Sequence, residues 1–351
     1  MSMGMEQHGA EALAALSGPG FVERLCADIL GMQRPLQCAQ VEISSFCAGK
    51  CGYCPHTTEG AGWPARHMSA ECFARLWPIL RRSARAHLQG WGEPMLHPLF
   101  SDFVAAAARA GCRVSSTSCG LAINERNAPL IAASGLDMLA ISLAGTDEAS
   151  NAIRNGVPFE RVCLAIGQLN RAIAESGSSL QIHLAYLLLA DRLDAVARLP
   201  GLMRAHDVPV AVVSTLDFIA RPEHRALAIT PDNARTLDLA RKMLEIAAAQ
   251  AADDGRLIHY SLPGAAAHPA SCREGVDSSL YVSADGLISP CVYLNVPGMA
   301  GEKRLVFGDM TQRDAWEIWN DDAFVAFRRG LPRGECPAAC ATCVKRHEAE
   351  S

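Results

Sequence analysis

Long apolar runs are missing from this sequence. No uncharged apolar stretch approaches the ~20 residues needed to span a bilayer, which excludes a helical membrane protein. Basic charge is not in excess: 32 Lys and Arg against 37 Asp and Glu give a formal net charge of -5. That balance speaks against an electrostatic grip on nucleic acid or on an anionic membrane surface. The amino terminus has two glutamates and no Lys or Arg ahead of its apolar run, the wrong charge for a secretion signal. Internal repeats of fixed period and low-complexity tracts are absent too. A cytoplasmic globular protein is the expectation. At 351 residues, half of them hydrophobic and a fifth charged, the chain suits one large domain with an appendage, or two domains.

Cysteine, by contrast, is plentiful, with 14 in the chain. In a reducing compartment close-set cysteines point to metal ligation or catalysis rather than disulfides. Eight fall into two groups: Cys47, Cys51 and Cys54 near the start, and Cys272, Cys291, Cys336, Cys340 and Cys343 near the end. The other six, Cys26, Cys38, Cys72, Cys112, Cys119 and Cys163, are scattered among apolar residues, where a thiol serves as a small hydrophobe.

From about residue 39 short apolar runs alternate with longer helical patterns. Six strand–helix repeats follow one another up to residue 225, which implies a parallel sheet with right-handed crossovers. Six is too few for a closed eightfold barrel, so the expected fold is α/β, an open partial (β/α)6 barrel. In such folds chemistry gathers at the carboxyl ends of strands. The cysteine loop follows strand one, "GWGEP" (90–94) ends strand two, "TSCG" (117–120) ends strand three, and "SLAG" (142–145) ends strand four. After residue 225 the pattern changes to a linker helix, a hairpin with Asp285-Gly286 as its turn signal, and a cysteine-rich tail. Three segments are therefore expected: an N-terminal helical extension (1–38), the barrel (39–225), and a small α+β cysteine-rich domain (226–351).

Thiolates are soft ligands that favour zinc, copper(I) or iron–sulfur clusters. A structural zinc wants four protein ligands, and the first group supplies three unless His56 joins them. A cubane [4Fe–4S] cluster normally takes four thiolates, so three leave one iron open for a group that is not protein. Cys-x3-Cys-x2-Cys after the first strand of a partial barrel, with Tyr53 before the last cysteine, resembles the signature of radical S-adenosylmethionine (radical SAM) enzymes. The resemblance implies that the open iron chelates S-adenosylmethionine. An electron from the cluster then cleaves it to methionine and a 5′-deoxyadenosyl radical, which abstracts hydrogen from substrate. It also implies an external low-potential electron donor of flavodoxin or ferredoxin type. Gly92, Glu93 and Pro94 match the family's Gly-Gly-Glu-Pro-like turn, which hydrogen-bonds the methionyl ammonium, while Trp91 stands where a second glycine is common. Ser142 takes the place of a polar contact to the methionyl carboxylate or ribose, or is a plain strand-end serine. Cys119 replaces a usual asparagine and is a candidate hydrogen-atom donor. His183 and Tyr186 on strand five either face the mouth or fill the core.

Cys272, Cys291, Cys340 and Cys343 supply the four thiolates of a complete second [4Fe–4S] site, with a zinc ribbon as the alternative. "LYVSADGLISPC", "FGDM" and the cysteine-rich tail resemble the auxiliary-cluster extension called SPASM, in its shortened, one-cluster "twitch" form. Cys336 is left over, spare or an alternative ligand. The tail lacks the Gly- and Arg-rich end of molybdenum-cofactor cyclases.

A fully ligated auxiliary cluster has no open iron, so its natural task is electron transfer. That suggests oxidation of a small hydroxylated metabolite, such as an aminocyclitol or sugar nucleotide. The alternatives are maturation of a peptide or partner protein, and a redox-neutral epimerisation or decarboxylation. Peptide-modifying members often carry a leader-binding domain of ~80 residues ahead of the cysteine loop, and only 46 residues precede Cys47, which favours the small molecule. A pure electron relay, with no enzyme activity, leaves "GWGEP" without a purpose.

Overall fold

A computed structural model describes residues 13, 35–267, 272–298, 304–341 and 343–350. The N-terminal extension expected over 1–38 and Cys26 therefore lie almost wholly outside the described residues. Strands β1 (Leu36–Val41), β2 (Ser83–Leu88), β3 (Arg113–Ser118), β4 (Met138–Leu143), β5 (Gln181–Leu188) and β6 (Val210–Thr215) pair in sequence order, all parallel. This is the partial barrel that the alternation of strand and helix patterns predicted.

The intervening helices start and stop where local chemistry dictates. Ser69 caps the helix Ala70–Ala74 by accepting from Cys72 N–H. Gly177, at φ 64, ends the helix Phe159–Ser176 in the left-handed conformation that costs glycine nothing. Two amphipathic stretches, each long enough for a single helix, are broken. Residues 69–83 split into Ala70–Ala74 and Trp77–Leu80, because Pro78 cannot donate into a continuing helix. Residues 314–330 split into Ala315–Trp319 and Asp322–Gly330, where Asp321 caps the second piece by accepting from Ala323 N–H.

The sheet does not end at residue 225. The helix Ala234–Asp253, read from the sequence as a linker, packs on the barrel's own helical layer and leads into β7 (Leu257–Tyr260), a seventh parallel strand beside β6. At the opposite edge β9 (Ser279–Val282) lies parallel to β1 and turns through Gly286 into β10 (Leu287–Ser289), followed by β11 (Gly308–Asp309). The result is one ten-stranded sheet that runs from the cysteine-rich segment through the barrel. A separate antiparallel pair, β8 (Leu262–Ala267) with β12 (His347–Glu350), ties the tail back.

Along the strands one face is apolar and buried against the helices, with Val41, Leu88, Val114, Leu139, Leu184 and Val213 on it. Registered neighbours on the other face include Gln40, His87, Ser115, Ala140, His183 and Val212. The inside of the curve is thus largely polar, unlike the filled interior of a closed barrel.

Candidate active site

The cysteine loop leaves β1 and docks on the segment after β4. Lys50 N–H donates to the Asn155 carbonyl at 2.7 Å and Gly52 N–H to that of Ile153 at 2.9 Å. Gly49 keeps the space between the thiols open: a β-carbon there would start 3.7 Å from Cys47 Sγ and 3.8 Å from Cys51 Sγ, and only 3.0 Å from Val157. Cys54 then opens the short helix Pro55–Thr58. Burial pushes the Cys47 thiol up to about 11 and the Cys54 thiol up to about 12, so these thiols stay protonated until a bound cation makes the thiolate the better state. Tyr53 sits beside Cys51 and packs against Ala144, Leu189 and Leu216.

The "GWGEP" turn is pressed onto the exit of β1. A β-carbon on Gly92 would lie 2.1 Å from the Ser44 carbonyl oxygen, and one on Gly90 would lie 2.4 Å from Glu42, so glycine alone fits both. Glu93 N–H donates to the Phe46 carbonyl, the residue before Cys47, at 2.7 Å. The Glu93 carboxylate is largely occupied within the protein. Oε1 accepts from the Ser118 hydroxyl at 2.8 Å and Met95 N–H at 3.1 Å, and Oε2 from Cys119 N–H at 2.7 Å. It therefore clips the end of β2 to the end of β3, and Pro94 begins the turn that follows. Cys119 is buried there, its thiol held protonated by burial and by the Glu93 charge.

Ser142 shares the inner face near the carboxyl end of β4, paired with Ala185. His183 lies two positions lower on β5, and the charge that acts on it is that of His259 on β7, so the fold does not bring it to the mouth. Tyr186 faces the helical layer and is fully buried, which settles it as core.

Two groups at the mouth escaped the sequence reading. Glu42, buried at the end of β1, accepts from Trp91 N–H at 2.7 Å, Gly92 N–H at 3.2 Å and Ala284 N–H at 3.4 Å. Burial raises its pKa to about 7. Arg154 is only 6% exposed, yet its Nε has no hydrogen-bond partner, and its charge faces Tyr53, Cys51, Cys119 and Glu93. A buried guanidinium with spare donors is costly unless an anion meets it, and the carboxylate of a methionyl group is such an anion. The sequence signal was faint: one cation in the loop-rich segment after β4. Arg154→Met should weaken S-adenosylmethionine binding about ten- to hundredfold, the loss of a charge-assisted contact, with iron content unchanged. Equilibrium binding under anaerobic conditions measures this, and an unaltered affinity would make Arg154 a purely structural charge.

Cys272, Cys291, Cys340 and Cys343 line one cavity of about 610 Å³, together with Phe218 and Tyr293. Among the described residues no group of three or more His, Cys, Asp or Glu side chains closes on a single metal ion. The four thiols stand around a space instead, as suits a cluster with one thiolate per iron. Cys336 does not line this cavity; its sulfur accepts from Arg346 Nη1 at 3.0 Å. Lys345 bonds Asp217, just beyond β6, at 2.6 Å and Glu274 at 3.0 Å, tying the cavity to the barrel.

Residues 41–185 match the Radical SAM superfamily and residues 272–344 match SPASM, an iron–sulfur cluster-binding domain. A PqqA peptide cyclase from Streptomyces rochei is 24% identical over 314 residues, covering 88% of this chain and 81% of that one. Two solved structures share the fold at 14% identity. SuiB of Streptococcus suis bound to the precursor peptide SuiA has a TM-score of 0.61, covering 92% of this chain and 77% of that one. Native anSMEcpe with bound AdoMet has a TM-score of 0.63, covering 84% of this chain and 83% of that one.

Proposed function

For this chain, a member of the radical SAM superfamily with a C-terminal SPASM domain, we propose that the substrate is a peptide, which the enzyme modifies by forming a bond between two of its side chains. The domains bring a [4Fe–4S] cluster, S-adenosylmethionine and a further iron–sulfur cluster, which together supply a hydrogen-abstracting radical and an electron acceptor. Cys47, Cys51 and Cys54 would hold the first cluster, with Gly92, Glu93, Pro94, Tyr53, Ser142 and Arg154 around the bound S-adenosylmethionine. Cys272, Cys291, Cys340 and Cys343 would hold the second.

The observation that carries the peptide reading is the similarity to a PqqA peptide cyclase over 88% of the chain. It favours the maturation alternative over the small hydroxylated metabolite. Cross-linking fits two acceptors. One hydrogen atom leaves a peptide carbon for the radical, the second side chain bonds to that carbon, and one electron and one proton remain to be removed. A cluster held by Cys272, Cys291, Cys340 and Cys343 would supply the acceptor for that electron, and the proton would pass to solvent. A low-potential donor of flavodoxin or ferredoxin type would start each cycle.

Anaerobic incubation with S-adenosylmethionine, a reductant and synthetic peptides taken from short reading frames beside the gene should convert one peptide to a product lighter by two hydrogen atoms. Turnover of an aminocyclitol or sugar nucleotide, with no peptide altered, would overturn the reading.

A further inference from the structure

Trp91 departs from the glycine-rich turn of the resemblance, and its surroundings give it a purpose. The indole Nε1–H donates to the Val292 carbonyl at 3.3 Å. Its ring meets Tyr293 at 6.0 Å between centroids and 67°, and Phe218 at 5.5 Å. Phe218 in turn stacks on Tyr293 at 5.8 Å and 11°. Val292 and Tyr293 are the two residues after Cys291. Phe218 follows Asp217, the partner of Lys345, which lies two residues past Cys343 and also bonds Glu274, two past Cys272. The segments that carry Cys272, Cys291 and Cys343 thus connect to the indole.

At its other end Trp91 has no slack. Its N–H is held by Glu42, Gly90 and Gly92 are wedged against the exit of β1, and Glu93 N–H reaches the residue before Cys47. Glu42 itself also accepts from Ala284 in the β9–β10 turn, a second link between the two regions.

We propose that Trp91 is a positioning residue that couples the auxiliary cluster site to the S-adenosylmethionine site. With the auxiliary site assembled, Val292 and Tyr293 clamp the indole and hold the Gly90–Pro94 turn against the cysteine loop. When the cluster is lost, the Cys291 segment loses the bonds that order it, the clamp slackens and the turn binds S-adenosylmethionine less well. Coupling of this kind is reciprocal: bound S-adenosylmethionine stabilises the auxiliary site by the same factor. The proposal rests on Cys272, Cys291, Cys340 and Cys343 being the auxiliary ligands.

A double-mutant cycle on the reconstituted holoenzyme tests it, read by S-adenosylmethionine affinity rather than by turnover. Cys340→Ser with Cys343→Ser should weaken binding about tenfold in the native background, within the usual range of coupling between sites. In a Trp91→Gly background the same pair should change the affinity less than about twofold. Trp91→Phe, which keeps the ring contacts and loses only the indole N–H, should retain most of the coupling. Circular dichroism establishes that each variant is folded. A second readout is the change in the electron paramagnetic resonance of the reduced barrel cluster when S-adenosylmethionine is added, which should shift with Trp91→Gly. Loss of about four irons with unmoved affinity, or lesions that simply add, would overturn the coupling while leaving the ligand assignment intact. No iron lost from the cysteine pair would overturn that assignment, and the proposal with it.

Discussion

Replacing Cys47, Cys51 and Cys54 with alanine will lower the iron of the reconstituted chain from about eight atoms to about four and abolish cleavage of S-adenosylmethionine. The three thiols lie on one loop pinned through Lys50 and Gly52 to the segment before Gly156, and Gly49 leaves clear the space between two of them. No other group of three cysteines follows a barrel strand among the described residues. The iron that survives belongs to the distant cavity, whose cysteines are untouched. Because the loop's backbone hydrogen bonds and the core behind it involve none of the substituted thiols, the variant keeps its fold, checked by circular dichroism. Loss of all iron, or residual cleavage, would mean the loop is not the cluster that activates S-adenosylmethionine. Zinc rather than iron in the remaining site would sink the auxiliary-cluster assignment.

Removing Cys340 and Cys343 will stop product formation yet leave some uncoupled cleavage of S-adenosylmethionine. On the proposed reading radical generation would use the cysteine loop, the Gly90–Pro94 turn and Arg154, all on the barrel, whereas closing a bond between two side chains would leave an electron with nowhere else to go. Binding of S-adenosylmethionine weakened through Trp91 would lower that residual cleavage only below saturation, so the assay is run at saturating S-adenosylmethionine. A cluster spanning residues 272 to 343 also contributes folding energy. The Lys345 bonds to Asp217 and Glu274, half-buried and independent of the substituted thiols, help retain the segment. Retention of about four irons and of the native circular dichroism therefore accompanies the measurement. A folded variant that forms product at the native rate would remove the electron-acceptor role. The better reading would then be a redox-neutral reaction, with Cys119, buried and protonated at the mouth, returning a hydrogen atom.

Some of this was written in the linear order of residues. Cys47, Cys51 and Cys54 are close because the chain between them is short, and the alternation of apolar strands with amphipathic helices admits little but a parallel sheet. The position of the motifs at strand ends follows from that alternation alone. Local signals such as Ser69, Gly177 and the Asp285-Gly286 turn acted as their chemistry requires.

What the tertiary structure decided depends on pairs far apart in sequence. Whether β7 joins the sheet depends on its partner β6, more than forty residues earlier, and four residues of β-pattern after a long helix carry no hint of it. Glu93 looked like a free acceptor, until folding delivered Ser118 and the Cys119 amide to its carboxylate. His183 and Tyr186 lie three residues apart on one strand, so they point to opposite faces, but alternation says only that they differ; the helical layer chose Tyr186 for the core. Arg154 and Glu42 read as ordinary charges because desolvation is a property of the surroundings, not of the residue. Trp91 meets Val292 across 201 positions. A side chain's reach is a few ångströms, and only the packed chain determines what stands within it.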